Sequence, residues 1–329
     1  MSDVTIQDVY FARRNIADIA RKTPMIPSPW LSEYISSNVY LKLESLQETG
    51  SFKIRGATNK ILNLPEEERS RGLITVSSGN HGRALSHVAH RLGIKAVVCL
   101  PETVPHGKRE AIQNLGPETI VHGKTFDETM AYAFHLQEEQ GFVMVHAFDD
   151  PYVIAGQGTI GLEMLDDFPD VDTVIVPLSA GGLLGGIAFT LKSIRPGIRT
   201  IGVSMERGPA MVESLKTGRV VDIVEEPTLA DALIGGIGRD NKYTFKMVQK
   251  YVDDTALVSE DEIAAAMTFA LEKHHLVVEG GGAVGIAALL CGRVSGLGEN
   301  VAVVVSGSNV DLSVLIQVAG GRYDYQSKK

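Results

Sequence analysis

The sequence predicts an α/β fold in which parallel sheets are covered by helices on both faces and divided between two lobes. Three observations carry this. Apolar runs of four to six residues recur along the chain, longer amphipathic stretches separate them, and 329 residues exceed what one hydrophobic core holds. The first β-prone stretch is Val39-Tyr40-Leu41-Lys42-Leu43. Further strands are expected at 73–76, 96–100, 119–121, 143–146, 173–177, 200–203 and 301–305, where β-branched residues cluster. Between them the pattern predicts helices at 82–92, 108–115, 126–140, 156–166, 185–194 and 260–274. Ser259 precedes Glu260-Asp261-Glu262, the spacing of a capping box that opens the last of these. Pro105 and Gly107 punctuate the loop before Lys108, Pro151 marks a crossing between lobes, and the polar stretch after Gly320 is expected to fray.

Charge and composition exclude several classes. Forty acidic against 31 basic residues give a net charge of -9 without a basic block, which argues against a nucleic-acid surface. The two cysteines, Cys99 and Cys291, stand in apolar runs without CxxC or His-Cys spacing, so they are read as buried thiols in a reducing compartment. The chain opens Met-Ser-Asp-Val-Thr, without the basic-then-apolar order of a signal peptide. No apolar run reaches the roughly 18 residues of a membrane span, and a cytoplasmic protein without membrane partners is expected.

Residues 48–57, Glu-Thr-Gly-Ser-Phe-Lys-Ile-Arg-Gly-Ala, set Lys53 among small neighbours after the first strand. Such an amine can carry covalent chemistry with an aldehyde if its surroundings release the neutral form from an ordinary pKa of about 10.4. A lysine beside glycine and serine is equally what a solvated loop contains.

Three turns add to it. Ser77-Ser78-Gly79-Asn80-His81-Gly82 brings hydroxyls, an amide and N–H groups to a helix start, which suits a carboxylate or phenolic oxygen, or is an ordinary capped turn. Ser179-Ala180-Gly181-Gly182-Leu183 lets backbone amides approach an anion, with close helix–strand packing as the alternative. Val305-Ser306-Gly307-Ser308-Asn309 ends the last strong strand with hydroxyls that can reach a ring heteroatom. Glu279-Gly280-Gly281-Gly282-Ala283 is read as packing more than chemistry, and no dinucleotide GxGxxG followed by an acid about 20 residues on is present.

These motifs, with Val-Ile-Ala-Gly-Gln-Gly-Thr-Ile at 153–160 and Ser-Gly-Ser-Asn-Val-Asp-Leu at 306–312, occur in the order seen in pyridoxal-phosphate enzymes of the threonine dehydratase and serine racemase family, which the chain resembles from Val9 to Leu312. The stretches 203–208 and 277–282 look most like the branch of hydroxyectoine-utilisation dehydratases. The resemblance implies a two-lobed fold-type II architecture, similar to the tryptophan synthase β subunit. Residues 1–66 and 151–329 would form a discontinuous large cofactor-binding domain and 67–150 a small one.

By the same resemblance, pyridoxal 5'-phosphate would be bound covalently by Lys53, with Phe52 against one ring face and Asn80 on the 3-oxygen. Ser179, Ala180, Gly181, Gly182 and Leu183 would hold its phosphate, and Ser306 its ring nitrogen. A serine there leaves that nitrogen essentially neutral, which favours loss of a β-substituent over transamination. Ser77, Ser78, Gly79, Asn80 and His81 would receive the substrate carboxylate, and Lys53 would take the Cα proton. The implied reaction removes water from a threonine-like or serine-like amino acid and yields an oxo acid and ammonia. Ser78, if it faces Cα opposite Lys53, would instead permit serine or aspartate racemisation, and 3-hydroxyaspartate dehydration is a further alternative.

Departures from the family pattern are Ser179-Ala180 where glycines are commoner, Ser204 where racemase-like members carry a metal-binding glutamate, with Glu206 displaced by two, and His135 where an arginine meets substrate. No metal is therefore expected. Arg83 would select an unusual substrate or is a solvated charge, and a homodimer is implied by the family.

Overall fold

The computed structural model describes residues 4–104 and 106–321, the side chains of Phe126 and Asp127 apart. Pro105 and the polar tail from 322 lie outside the described residues. In chain order the elements are α1 (Ile6–Asn15), β1 (Met25–Pro27), α2 (Pro29–Ile35), β2 (Asn38–Leu43), α3 (Lys53–Leu62), α4 (Glu66–Arg71), β3 (Leu73–Val76), α5 (Asn80–Leu92), β4 (Ala96–Leu100), α6 (His106–Gln113), β5 (Glu118–Val121), α7 (Phe126–Gln140) and β6 (Val143–Met144). They continue with α8 (Pro151–Asp167), β7 (Thr173–Pro177), α9 (Gly182–Ile194), β8 (Arg199–Met205), α10 (Ala210–Thr217), α11 (Thr244–Tyr251), β9 (Asp254–Val258), α12 (Glu260–His274), α13 (Gly280–Leu290), β10 (Asn300–Val305) and α14 (Leu312–Ala319).

Two sheets form, six strands in the order β1-β2-β10-β7-β8-β9 and four in the order β5-β4-β3-β6. Every neighbouring pair is parallel except β1 with β2. The fold class is the α/β class expected, and the strand chemistry explains it. In β10, Val301, Val303 and Val305 pack into one core with α12 and α13, while Ala302 and Val304 point into another with α8 and α9. Because both faces are buried, the strand reads as an unbroken apolar run. The smaller sheet repeats the scheme, with Leu73 and Val98 facing α5, and Ile74 and Val97 facing α7.

Several boundaries depart from expectation for local reasons. Strand 143–146 shrinks to Val143–Met144 because the Val145 carbonyl accepts from the His81 ring and from Thr75 Oγ1. Pro151, read as a crossing point, is the first residue of α8, whose cap is Asp150 accepting from the N–H groups of Tyr152 and Val153. Ser259 and Glu262 do form the capping box of α12. Cys99 is buried as expected, whereas Cys291 is exposed where the chain leaves α13.

Candidate active site

The predicted turns converge at the carboxyl ends of β3, β7 and β10, where open parallel sheets place ligand crevices. Lys53 is not on a loop. It is the first residue of α3, and the turn before it is stitched to the turn after β10: Phe52 N–H donates to Ser306 O at 3.1 Å, and Ser308 N–H to Gly50 O at 2.8 Å. The approach is so close that a Cβ on Gly50 would lie 2.6 Å from Asn309 Oδ1. The Lys53 turn and the Ser306 turn are thus hydrogen-bonded directly to each other.

The Lys53 amine donates to Ala147 O at 2.8 Å and lies 5.2 Å from the Phe52 ring centroid. Burial lowers its pKa to about 8, with Glu279 opposing the shift. His81 hydrogen-bonds through Nε2 to Val145 O at 2.9 Å, which places its ring proton on that nitrogen because a carbonyl only accepts. Burial, reinforced by the Lys53 charge, takes the His81 pKa down to about 3. The ring therefore stays neutral and leaves the lysine as the basic group here. His146, also pushed down by burial, accepts the N–H of Asp149 at 2.9 Å and shapes the segment that carries Ala147.

Asn80 opens α5 and is 8% exposed. Its Nδ2 donates to Glu279 Oε1 at 2.7 Å, and its Oδ1 accepts from Asn309 Nδ2 at 2.6 Å. Glu279, whose three following glycines suggest packing, is thus part of the site. It is 2% exposed, and burial, reinforced by Asp231, pushes its pKa up to about 7. Only the acid ahead of three glycines signalled it. Ser77, Ser78 and Gly79 line the cleft half-buried, and a Cβ built on Gly79 would meet nothing within 4 Å, so open space adjoins this helix start.

At α9, Gly181 takes φ +89° as the cap, a left-handed conformation that suits glycine, and the first N–H groups of the helix have no helical acceptor. Gly182 packs against Phe148, Ala180 and Leu183 are buried, and Ser179 Oγ donates to Leu233 O at 3.0 Å, so its side chain braces the turn. Asp149 accepts from the N–H groups of Lys242, Tyr243 and Thr244 at 2.7–2.9 Å and caps α11 from a distant segment. Ser306 follows β10 directly and is 3% exposed.

Other expectations fall outside this cluster. His135 is on the exposed face of α7 beside Glu139, because the buried stripe of that helix runs through Ala133 and Leu136. Arg83 is half-buried in the first turn of α5 and forms no ion pair among the described residues. Ser204 is buried against Met205, Glu206 faces Arg293 at 3.8 Å, and no group of His, Cys, Asp or Glu among the described residues could hold a metal ion. A second cluster went unread: behind Lys53, Arg55 pairs with Glu44 and Glu163, and Lys42 with Glu163, all buried.

Comparisons with known proteins show the family. A family model described as "Pyridoxal-phosphate dependent enzyme" matches residues 16–307. L-threonine ammonia-lyase of Thermotoga maritima is 44% identical over 315 residues, 96% of this chain and 78% of its own. Maize serine racemase superposes with a TM-score of 0.91 at 33% identity, covering 97% of this chain and 98% of that one. The processed form of threonine deaminase isoform 2 from Solanum lycopersicum gives 0.88 at 35%, covering 97% and 94%.

The residues present fit the cofactor those names carry. A buried hydroxyl at Ser306, the first N–H groups of α9, open space at Gly79 and a desolvated amine at Lys53 supply donors and room for a phosphorylated heteroaromatic aldehyde.

Proposed function

This chain belongs to the pyridoxal-phosphate-dependent enzymes, as a lyase of the threonine ammonia-lyase type, and we propose that it eliminates water from a hydroxylated amino acid of the threonine or serine class to give, after hydrolysis, an oxo acid and ammonia. The observation that carries the reading is the Lys53 amine, desolvated and facing Ala147 O, in one cleft with Asn80 and Ser306. Pyridoxal phosphate, when bound, supplies an electron sink that makes the Cα–H bond breakable. Lys53 anchors it and then holds the Cα proton on Nζ, a role suited to an amine whose pKa is about 8. Phe52 would lie against the ring, Asn80 would donate to the 3-oxygen, Ser306 would meet the ring nitrogen, and the N–H groups of 179–183 would take the phosphate. Ser77 to His81 bind the substrate carboxylate, with His81 kept neutral so that it does not compete for the proton.

The β-hydroxyl leaves as water, its added proton balanced by the one Lys53 takes from Cα, and hydrolysis of the released enamine gives the oxo acid and ammonia. Residues 1–66 and 151–329 serve as the cofactor-binding domain and 67–150 as the small domain, in a homodimer working in the cytoplasm. No described helix is long and apolar enough to cross a membrane. The finer reading, supported by the stretches 203–208 and 277–282, is a substrate arising in hydroxyectoine breakdown.

The test is a panel of hydroxylated amino acids, including hydroxyectoine-derived ones, assayed for ammonia and oxo acid with the unaltered protein and Lys53→Ala. Lys53→Ala should lose the covalent cofactor and at least about a thousandfold of turnover. Normal turnover in that variant, or no consumption across the panel, refutes the reading. Chiral analysis of the same incubations decides whether Ser78 supports racemisation, which Ser78→Ala would then remove while sparing elimination.

A further inference from the structure

Asn80 is held by more than its own helix. It belongs to the elements round the four-stranded sheet, whereas Glu279 caps α13 and Asn309 follows β10, both on the six-stranded side. The three residues close a ring of hydrogen bonds. Asn80 Nδ2 donates to Glu279 Oε1 at 2.7 Å, the Asn309 backbone N–H donates to Glu279 Oε2 at 3.1 Å, and Asn309 Nδ2 donates to Asn80 Oδ1 at 2.6 Å. Asn309 is itself fixed, because its Nδ2 also donates to Thr49 O at 2.8 Å. The Glu279 backbone N–H donates to Gly307 O at 3.1 Å.

This ring decides which way the Asn80 carboxamide faces. A flipped amide would set its NH2 against the Asn309 NH2 and its oxygen against a carboxylate oxygen, so both contacts would turn repulsive. In the orientation present, one Asn80 N–H and the second acceptor site of Oδ1 remain unspent, and only that N–H can donate. Glutamine in place of Glu279 would not serve equally. Both carboxylate oxygens accept, and an amide would confront one of the two donors with its own NH2.

We propose that Glu279, with Asn309, is the positioning residue of the site: the pair carries Asn80 across the boundary between the two sheets and presents its one free N–H to the 3-oxygen of the cofactor ring. The inference rests on the reading of Lys53 and Asn80 given above. It adds that cofactor affinity depends on contacts made by residues that do not themselves touch the ring.

A double-mutant cycle tests it. Cofactor retention by the holoenzyme is followed through its visible absorbance during dialysis and re-titration with pyridoxal phosphate, together with the melting temperature, for Glu279→Ala, Asn80→Ala and their combination. Each single change should weaken retention about tenfold. Added to Asn80→Ala, Glu279→Ala should cost less than about a further twofold, because its effect passes through the missing carboxamide. Asn309→Ala should follow Glu279→Ala, and Glu279→Gln should lie between it and the unaltered protein. Losses that multiply in the combination, or a fall in melting temperature with unchanged cofactor affinity, overturn the inference. Should Glu279→Ala not fold, the same cycle with Glu279→Gln decides by the same criteria. An unaltered protein that binds no pyridoxal phosphate overturns the site assignment together with this inference, whereas a normal cofactor band with multiplying losses overturns this inference alone.

Discussion

Two clusters of buried charge flank the start of α3, only two residues apart in sequence, and they treat charge in opposite ways. Behind the helix, Arg55 donates to both oxygens of Glu44 at 2.8 Å and to Glu163 at 2.7–2.8 Å, while Lys42 reaches Glu163 at 2.5 Å. Two cations face two anions in contact. Burial alone would raise the Glu44 pKa, but Arg55 and Lys42 hold it below the carboxylate range. In front of the helix, Lys53 has a carbonyl as its hydrogen-bond partner and Glu279 has amides. Burial there wins, lowering Lys53 to about 8 and raising Glu279 to about 7. The lesson is that burial by itself does not make a reactive amine. Lysine gives up its proton more readily where its carboxylate is withheld, and remains a structural cation where it is supplied.

The largest effect that tests this contrast is expected behind the helix. Arg55→Met leaves Glu44 and Glu163 with only Lys42 as a cation, and removal of one partner from a buried network costs about 3–5 kcal/mol. Calorimetry should show a melting temperature lower by on the order of 10 °C, with or without added cofactor. A fall of less than about 2 °C would mean that the cluster contributes little to stability, and the contrast would break.

This hidden cluster also marks where reading the sequence stops. The strands were legible because both faces of each central one are apolar, so 73–76, 96–100 and 173–177 could be bounded from composition alone. Lys53, Asn80 and Ser306 were legible because each sits in a turn rich in small residues. Glu279 and Asn309 were not, because their meaning lies in contacts with residues about 200 positions away in sequence. Nor was α3, since Gly56, Thr58 and Asn59 are poor helix formers and the helix is held by packing against α8. Lys42 lies in a strand where alternation suggests an outward charge, and only Glu163 on α8 explains why it points inward.

A smaller effect sharpens the front of the comparison. Glu279 titrates higher in the folded chain than its ordinary 4.5, so the native state binds more protons than the unfolded one between about pH 4.5 and 7, and stability falls as pH rises through that window. Lys53 titrates lower than 10.5, so the native state binds fewer protons between about pH 8 and 10.5, and stability rises there. Urea unfolding of cofactor-free protein across pH should show each trend on the order of 1–3 kcal/mol. Glu279→Gln should flatten the acidic limb and Lys53→Met the alkaline one. If both limbs survive both changes, these two groups are not the ones whose charge is suppressed.

The smallest effect lies at the boundary between the sheets. Lys108 on α6 donates to Asp231 at 2.7 Å, with side chains 29% and 45% exposed. Burial would lower the Lys108 pKa, but Asp231 outweighs it and holds the amine protonated. Half-exposed pairs contribute only about 0.5–1 kcal/mol, and salt screens them. This pair also bears on the front cluster, since Asp231 raises Glu279 and Lys108 counters it. On the proposed assignment of the substrate site, the ion pair joins the elements around it without touching the reacting atoms, so Lys108→Met should raise KM about two- to fivefold with kcat within about twofold. In the unaltered enzyme, raising salt from about 0.05 to 0.5 M should reproduce most of that rise in KM, and the variant should respond far less. A salt response of equal size in both would assign the screened charge elsewhere, and would leave suppression of charge in front of α3 independent of how the two sheets are joined.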